Sequence, residues 1–230
     1  MTEKLGILFL HHTTDKVALN NLSSVRRHNR NASVVTMSAR TPLNGGYSLQ
    51  GTPELQARHS LTARRGSDWL VCSWYVQRRE KCDKWWIIEW DTYCTMSVRE
   101  YYRPVWDFPF VTSSVRLPNR EPEWVWFSKR ADLPRELRSH ATGAVPFLYL
   151  VSESALKSIC ATLLKCSPAA GNGELRFATA AKKCGFPPCA YSPPGDQITW
   201  MPWRRIARRK AIFHPVKYVV REASLNRANR

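Results

Sequence analysis

The sequence predicts an α/β fold, one domain over residues 1–220 with a mixed, mostly parallel sheet flanked by helices, and a short basic tail at 221–230. Three observations carry that reading. A continuous apolar run, Leu5 to Leu10, precedes a helix-patterned stretch, Lys16 to His28, and then a β-rich run, Ser33 to Met37, which is the strand–helix–strand unit of an α/β sheet. A dense apolar run from Lys84 to Ile88 ends in Glu89 and Asp91. A third run, Gly143 to Val151, leads straight into a helix-patterned stretch that reaches about Lys165.

Taken in order, Leu5 to Leu10 is followed by the polar His11-His12-Thr13-Thr14-Asp15, so it reads as a buried parallel strand whose carboxyl end opens into a loop. The Lys16 to His28 helix returns the chain to a second strand after Asn29-Arg30-Asn31, by a crossover that is right-handed by default. Residues 40–66 hold Pro42, Gly45, Gly46, Gly51 and Pro53 with almost no periodicity and read as irregular or partly a short helix. Trp69 to Arg79 reads as strand then helix. Among the prolines and tryptophans of residues 96–138, Glu123 to Ser128 reads as a strand. Ser152 or Ser154 can accept the free amides of the next helix, and Glu153 suits its dipole. Gly173-Glu174 opens a further helix, Leu175 to Cys184, which Gly185 closes.

Thirty-five Lys and Arg against 18 Asp and Glu give a net charge of +17 and a pI near 10.0. Ten Trp, eight Tyr and eight Phe supply a core of ordinary size, which excludes a disordered basic chain. No apolar run approaches the roughly 20 residues of a membrane-spanning helix. The apolar stretch at the N-terminus is too short for a secretory signal, so cytoplasmic residence is the default expectation. An odd number of cysteines, seven, suits a reducing compartment. The C-x5-C pair Cys160/Cys166 and the C-x4-C pair Cys184/Cys189 are spaced more widely than zinc knuckles, so free thiols are expected rather than zinc. Basicity is concentrated: nine Lys or Arg and a single Glu lie between Trp203 and Arg230.

The chemistry-bearing feature is the acid pair. In an extended segment Glu89 and Asp91 share a face while Trp90 points away. Acids at the carboxyl edge of an α/β sheet lie where such folds bind ligands, and two neighbouring carboxylates repel unless a proton or a cation intervenes. Mg²⁺ or Mn²⁺ bridging to a diphosphate fills that need.

With this context the segment Ile87-Ile88-Glu89-Trp90-Asp91-Thr92-Tyr93-Cys94 resembles the acid-x-acid motif of nucleotide-diphospho-sugar glycosyltransferases of the GT-A fold. It departs from that pattern by beginning with Glu89 in place of Asp. Gly173 to Ala181 resembles the acidic helix start that supplies a general base in inverting members, and Ile212-Phe213-His214-Pro215-Val216-Lys217 the late His segment of the metal shell. The resemblance implies a single Rossmann-like GT-A domain that moves a sugar from a nucleotide-diphosphate donor to a hydroxyl acceptor. It further implies Asp91 and His214 on Mn²⁺ or Mg²⁺, Glu174 as general base, and Glu89, Lys217, His11 and Asp68 around the donor.

Each residue also has a plain structural alternative. Glu89 and Asp91 can be strand-end acids paired with arginine, Glu174 a first-turn acid favoured by the dipole, His214 a turn residue before Pro215, and His11 the end of a strand. Trp85, Trp86 and Trp90 suit a core at least as well as a sugar platform. A different class of function is binding of nucleic acid or of an anionic membrane surface by the basic chain, with Arg204, Arg205, Arg208, Arg209 and Lys210 as its densest stretch. Nucleic acid is disfavoured because no recognition motif accompanies the charge. A catalytically silent protein of transferase-like fold is the third alternative.

Overall fold

Leu5–Leu10 forms β1, and all six of its residues are buried. The computed structural model describes residues 3–38, 43, 46–48, 63–78, 80–145, 148–166, 172–193, 197–199, 202–203, 206 and 210–220. Strand β1 pairs in parallel with β2 (Ser33–Ser38) on one side and β4 (Lys84–Glu89) on the other, and β2 continues in parallel to β3 (Tyr47–Ser48). Beyond β4 lies β9 (Tyr149–Ser152), the antiparallel member, then β6 (Phe110–Thr112) and β10 (Cys189–Ala190). The seven-stranded order is therefore β10-β6-β9-β4-β1-β2-β3, a mixed and mostly parallel sheet.

Alternation along the central strands assigns two cores. Leu8, Leu10, Trp85 and Ile87 face one side, where helices α2 (Ala63–Gln77), α5 (Glu153–Leu163) and α6 (Gly173–Lys183) contribute Val71, Trp74, Leu156, Ile159, Phe177 and Ala178. Ile7, Phe9, Trp86 and Ile88 face the other, against Ala18, Leu22 and Val25 of α1 (Lys16–His28) and Val98 and Tyr101 of α3 (Val98–Tyr101). A strand covered by helices on both faces must be apolar at every position, which is why β1 and β4 read as unbroken hydrophobic runs. Gly6 is fixed by this packing. It is the register partner of Trp85, and a Cβ there would fall 2.2 Å from the indole ring.

The helix ends obey local chemistry. Asp15 Oδ1 accepts from the Val17 and Ala18 amides at 2.9 Å, Ser152 Oγ from Ala155, and Asn172 Oδ1 from Glu174 and Leu175 at 2.7 and 3.2 Å. Gly185 takes φ +83° just past α6, a conformation that favours glycine.

Three readings of the sequence need correction. Glu123 to Ser128 is not a strand but the start of a 3₁₀ run, Val125–Asp132. Its alternating tryptophans are explained by Trp124 and Phe127 meeting edge to face at 4.9 Å, not by a sheet. Trp69 to Gln77 lies in the single helix α2, because Leu70, Val71 and Trp74 follow a helical spacing into one core, and Arg79 lies outside the described residues. Gly143 to Val151 is two strands, β8 (Gly143–Val145) and β9, since β8 pairs with β7 (Ser114–Arg116) while β9 joins the central sheet. Residues 40–66 lie mostly outside the described residues, as do Arg204, Arg205, Arg208, Arg209 and the tail 221–230. Among the described residues no helix is long and apolar enough to cross a membrane.

Candidate metal and transfer site

The acid pair stands where β4 runs out of partners. Strand pairing ends at Glu89, and the Thr92 amide donates to the Glu89 carbonyl at 3.1 Å, so Trp90 and Asp91 form a turn. The shared face of an extended segment is thus not what brings Glu89 and Asp91 together. The turn does, together with a second, smaller sheet in which β5 (Tyr93–Cys94) pairs antiparallel with β12 (Ile212–His214), and β12 pairs in parallel with β11 (Gln197–Ile198). Register Tyr93↔Phe213 lays His214 beside the turn. The Val216 amide donates to the Asp91 carbonyl at 2.7 Å, and Asn21 Nδ2 donates to the carbonyls of Trp90 and Val216 at 3.1 and 3.0 Å. Residues some 120 positions apart are thereby stitched into one loop cluster.

There His214 Nε2 lies 3.1 Å from Asp91 Oδ1 and 3.3 Å from Glu89 Oε2. Glu89, Asp91 and His214 each offer one ligand atom, all within 4.8 Å of one another. These are ion-pair approaches that do not meet the geometry of a hydrogen bond. Among the described residues, both ring nitrogens of His214 and Asp91 Oδ1 are buried with no hydrogen-bond partner. Such atoms are costly unless a further group satisfies them. Two carboxylates and an imidazole are a donor set for a divalent cation, so the residues fit the metal that the sequence implied. Lys217 Nζ stands 3.8 Å from Asp91 Oδ2.

Charge in the cluster is unevenly settled. Burial favours a neutral His214 ring, but the carboxylates of Asp91 and Glu89 outweigh it and push the imidazole up to about 9. Burial also raises Asp91, yet His214 and Lys217 bring it below its ordinary value. Glu174, in the first turn of α6, is raised to about 7 by burial and then by repulsion from Glu89. The Trp126 indole approaches the same carboxylate and offsets part of that rise.

Two residues expected around the donor sit differently. Asp68 is fully buried, and its two oxygens accept from Arg176 Nε and Nη2, both at 2.7 Å. His11 follows Leu10, the register partner of Glu89, but Nε2 accepts from the Leu43 amide at 3.1 Å. That leaves the proton on Nδ1, which donates to the Thr13 carbonyl at 3.1 Å. Both residues are used in holding the chain. Their sequence signals, an acid in a helix and a His after a strand, are the same whether the side chain faces a ligand or the backbone. Sequence reading missed Asn21 and the position of Trp126. Nothing local marks Asn21, whose partners come from distant loops. Sequence reading also passed over Asn172, whose Oδ1 caps α6, although an Asn just before Gly173-Glu174 is a recognisable cap signal.

No family model matches the sequence. No curated protein matches it. Among solved structures, the chain is similar to the galactosyltransferase LgtC in complex with donor and acceptor sugar analogues, at 12% identity over 81% of this chain and 73% of that one, with a TM-score of 0.41. An active-site mutant of LgtC gives 10% identity, 81% and 72% coverage, and a TM-score of 0.37. The apo structure of the bifunctional glycosyltransferase WbbM gives 11% identity and a TM-score of 0.42, over 86% of this chain and 40% of that one.

Proposed function

We propose that this chain is a metal-dependent glycosyltransferase that moves a sugar from a nucleotide-diphosphate donor to a hydroxyl acceptor. One observation carries the reading: Glu89, Asp91 and His214 converge from two separate sheets, with Asp91 Oδ1 and both His214 nitrogens buried and without a hydrogen-bond partner. Asp91 and His214 would hold the ion, with Glu89 beside them, and an imidazole in the set suits Mn²⁺ better than Mg²⁺. Bound there, the cation supplies charge neutralisation for a departing diphosphate. Lys217 adds a positive charge on the same side, next to Asp91.

Glu174 is suited to proton transfer, because a carboxylate titrating near neutrality is half available as a base and strong enough to act. As the acceptor oxygen forms its bond to the anomeric carbon, the bond from that carbon to the donor's phosphate oxygen breaks. The hydroxyl proton passes to Glu174 and the nucleoside diphosphate leaves with the electron pair. Asp68 and His11 serve this reading only through the scaffold, by fixing α2 to α6 and Leu43 to the end of β1.

The test is a thermal-shift series with nucleoside diphosphates and their sugars, with and without Mn²⁺, on the wild type and on Asp91→Ala. Stabilisation by a nucleotide sugar that requires Mn²⁺ and disappears in Asp91→Ala supports the enzyme. Absence of any metal-dependent shift, combined with salt-sensitive gel retardation of single-stranded RNA that ignores Asp91→Ala, overturns it in favour of a basic binding protein.

A further inference from the structure

Between β6 and β9 the chain makes a long excursion, described over residues 113–145 and at 148. Strand β6 runs with β4, since both are antiparallel to β9, so β6 ends at the same sheet edge as Glu89. The excursion rises on the β7–β8 ribbon and carries the 3₁₀ run Val125–Asp132. Its tryptophans are placed with some firmness. Trp124 lies on the backbone of Gly143, where a Cβ would come within 2.3 Å of the indole, and meets Phe127 edge to face. Phe127 is buried with Leu133, Leu137 of α4 (Arg135–Arg138) and Leu175, the residue after Glu174. Trp126, between these two anchors, stays only partly buried and packs against the same cluster, which includes Leu175 at the start of α6.

An indole held at that spot has an apolar face and a polar edge, a combination that accepts a ring with one hydrophobic side and several hydroxyls. We infer that Trp126 is the platform for the acceptor, and that the acceptor is a pyranoside whose C–H face lies on the indole while one hydroxyl reaches Glu174. This rests on the transferase reading for its chemistry, but the platform itself needs no donor. It narrows the acceptor class: a peptide hydroxyl or a simple lipid alcohol has no ring face to stack. The anchors explain how a loop residue is held steadily enough for this, since Trp124 and Phe127 fix the backbone on both sides of it.

The experiment uses the full-length wild type, Trp126→Phe and Trp126→Ala, with neutral methyl pyranosides and a simple alcohol such as glycerol as probes. Binding is read without donor by ligand-observed NMR, and transfer by acceptor KM and kcat with donor and Mn²⁺. Pyranoside binding and KM are expected to weaken by about tenfold to a hundredfold in Trp126→Ala, the range of one lost stacking contact, and far less in Trp126→Phe. Glycerol and the Mn²⁺-dependent thermal shift by the donor stay unchanged. Pyranoside binding equal in wild type and Trp126→Ala, or absent from both, overturns the platform. Trp126-dependent sugar binding with no donor binding in any variant retains the platform and overturns the transferase reading. A Trp126→Ala protein that also loses the donor shift points to a folding defect, and the Trp126→Phe comparison then decides: undiminished binding supports the ring face, and loss equal to Trp126→Ala overturns it.

Discussion

Two buried acid–cation groups in this molecule are built oppositely. Asp68 and Arg176 close on each other through two parallel contacts of 2.7 Å with both side chains wholly excluded from solvent. Asp91 and His214 approach to 3.1 Å, with Glu89 at 3.3 Å and Lys217 at 3.8 Å, and keep ligand atoms unsatisfied. A bidentate guanidinium neutralises the carboxylate and engages both of its oxygens, so the first pair locks α2 to α6. The second group has the charge for a partner and the geometry for more than the protein supplies. What separates scaffold from candidate site here is thus the degree to which buried polar atoms are satisfied, not the kind of residue or its burial.

That contrast can be broken most forcefully at the scaffold pair. Arg176→Leu leaves the Asp68 carboxylate buried without its partner and is expected to cost about 3–5 kcal/mol in chemical denaturation. If the cost is under about 1 kcal/mol, the pair is not the lock described. Glu174→Gln is the opposite case. Its carboxyl is raised from 4.5 to about 7 in the folded chain, so between those values the native state holds a proton that the unfolded chain has lost. Stability attributable to this group therefore falls as pH rises through that window, and above about 7 the full penalty is present. Glu174→Gln should stabilise by about 1–3 kcal/mol near pH 8 and by almost nothing near pH 4, the lower figures allowing for its partial exposure. The same substitution should slow transfer by about 10²- to 10⁴-fold. A variant neither more stable in alkali nor slower would remove Glu174 from the site.

Smaller effects mark the ends of the scale. Asp15→Ala, which frees the Val17 and Ala18 amides at the start of α1, should cost about 1 kcal/mol in the same denaturation assay. Lys210→Ala breaks a pair with Glu100 at 3.2 Å in which the lysine is 75% exposed, and should change stability by less than about 0.5 kcal/mol. A large loss there would mean that exposure is a poor guide to the worth of an ion pair in this molecule.

The elements that packing leaves to local rules were legible in the sequence. Strand β1 and helix α1 fall on the apolar run and the helix-patterned stretch that announce them, and Ser152 and Gly185 mark helix ends where their chemistry places them. Glu123 to Ser128 reads as a strand because alternating tryptophans look alike whether they face a sheet or, as Trp124 does, lie against Phe127 and a distant glycine.

The sequence by itself determined the α/β alternation, the unbroken apolar strands that require helices on both faces, and the arrival of Glu89 and Asp91 at the end of β4, because each follows from period, propensity and capping within a few residues. Only the tertiary structure decided that Asp68 faces Arg176, that His11 spends both nitrogens on backbone, and that His214 and Lys217 reach Asp91. These are contacts across long separations in the chain, set by sheet register and by the closing of a second small sheet, and no local pattern encodes which of several like residues will meet.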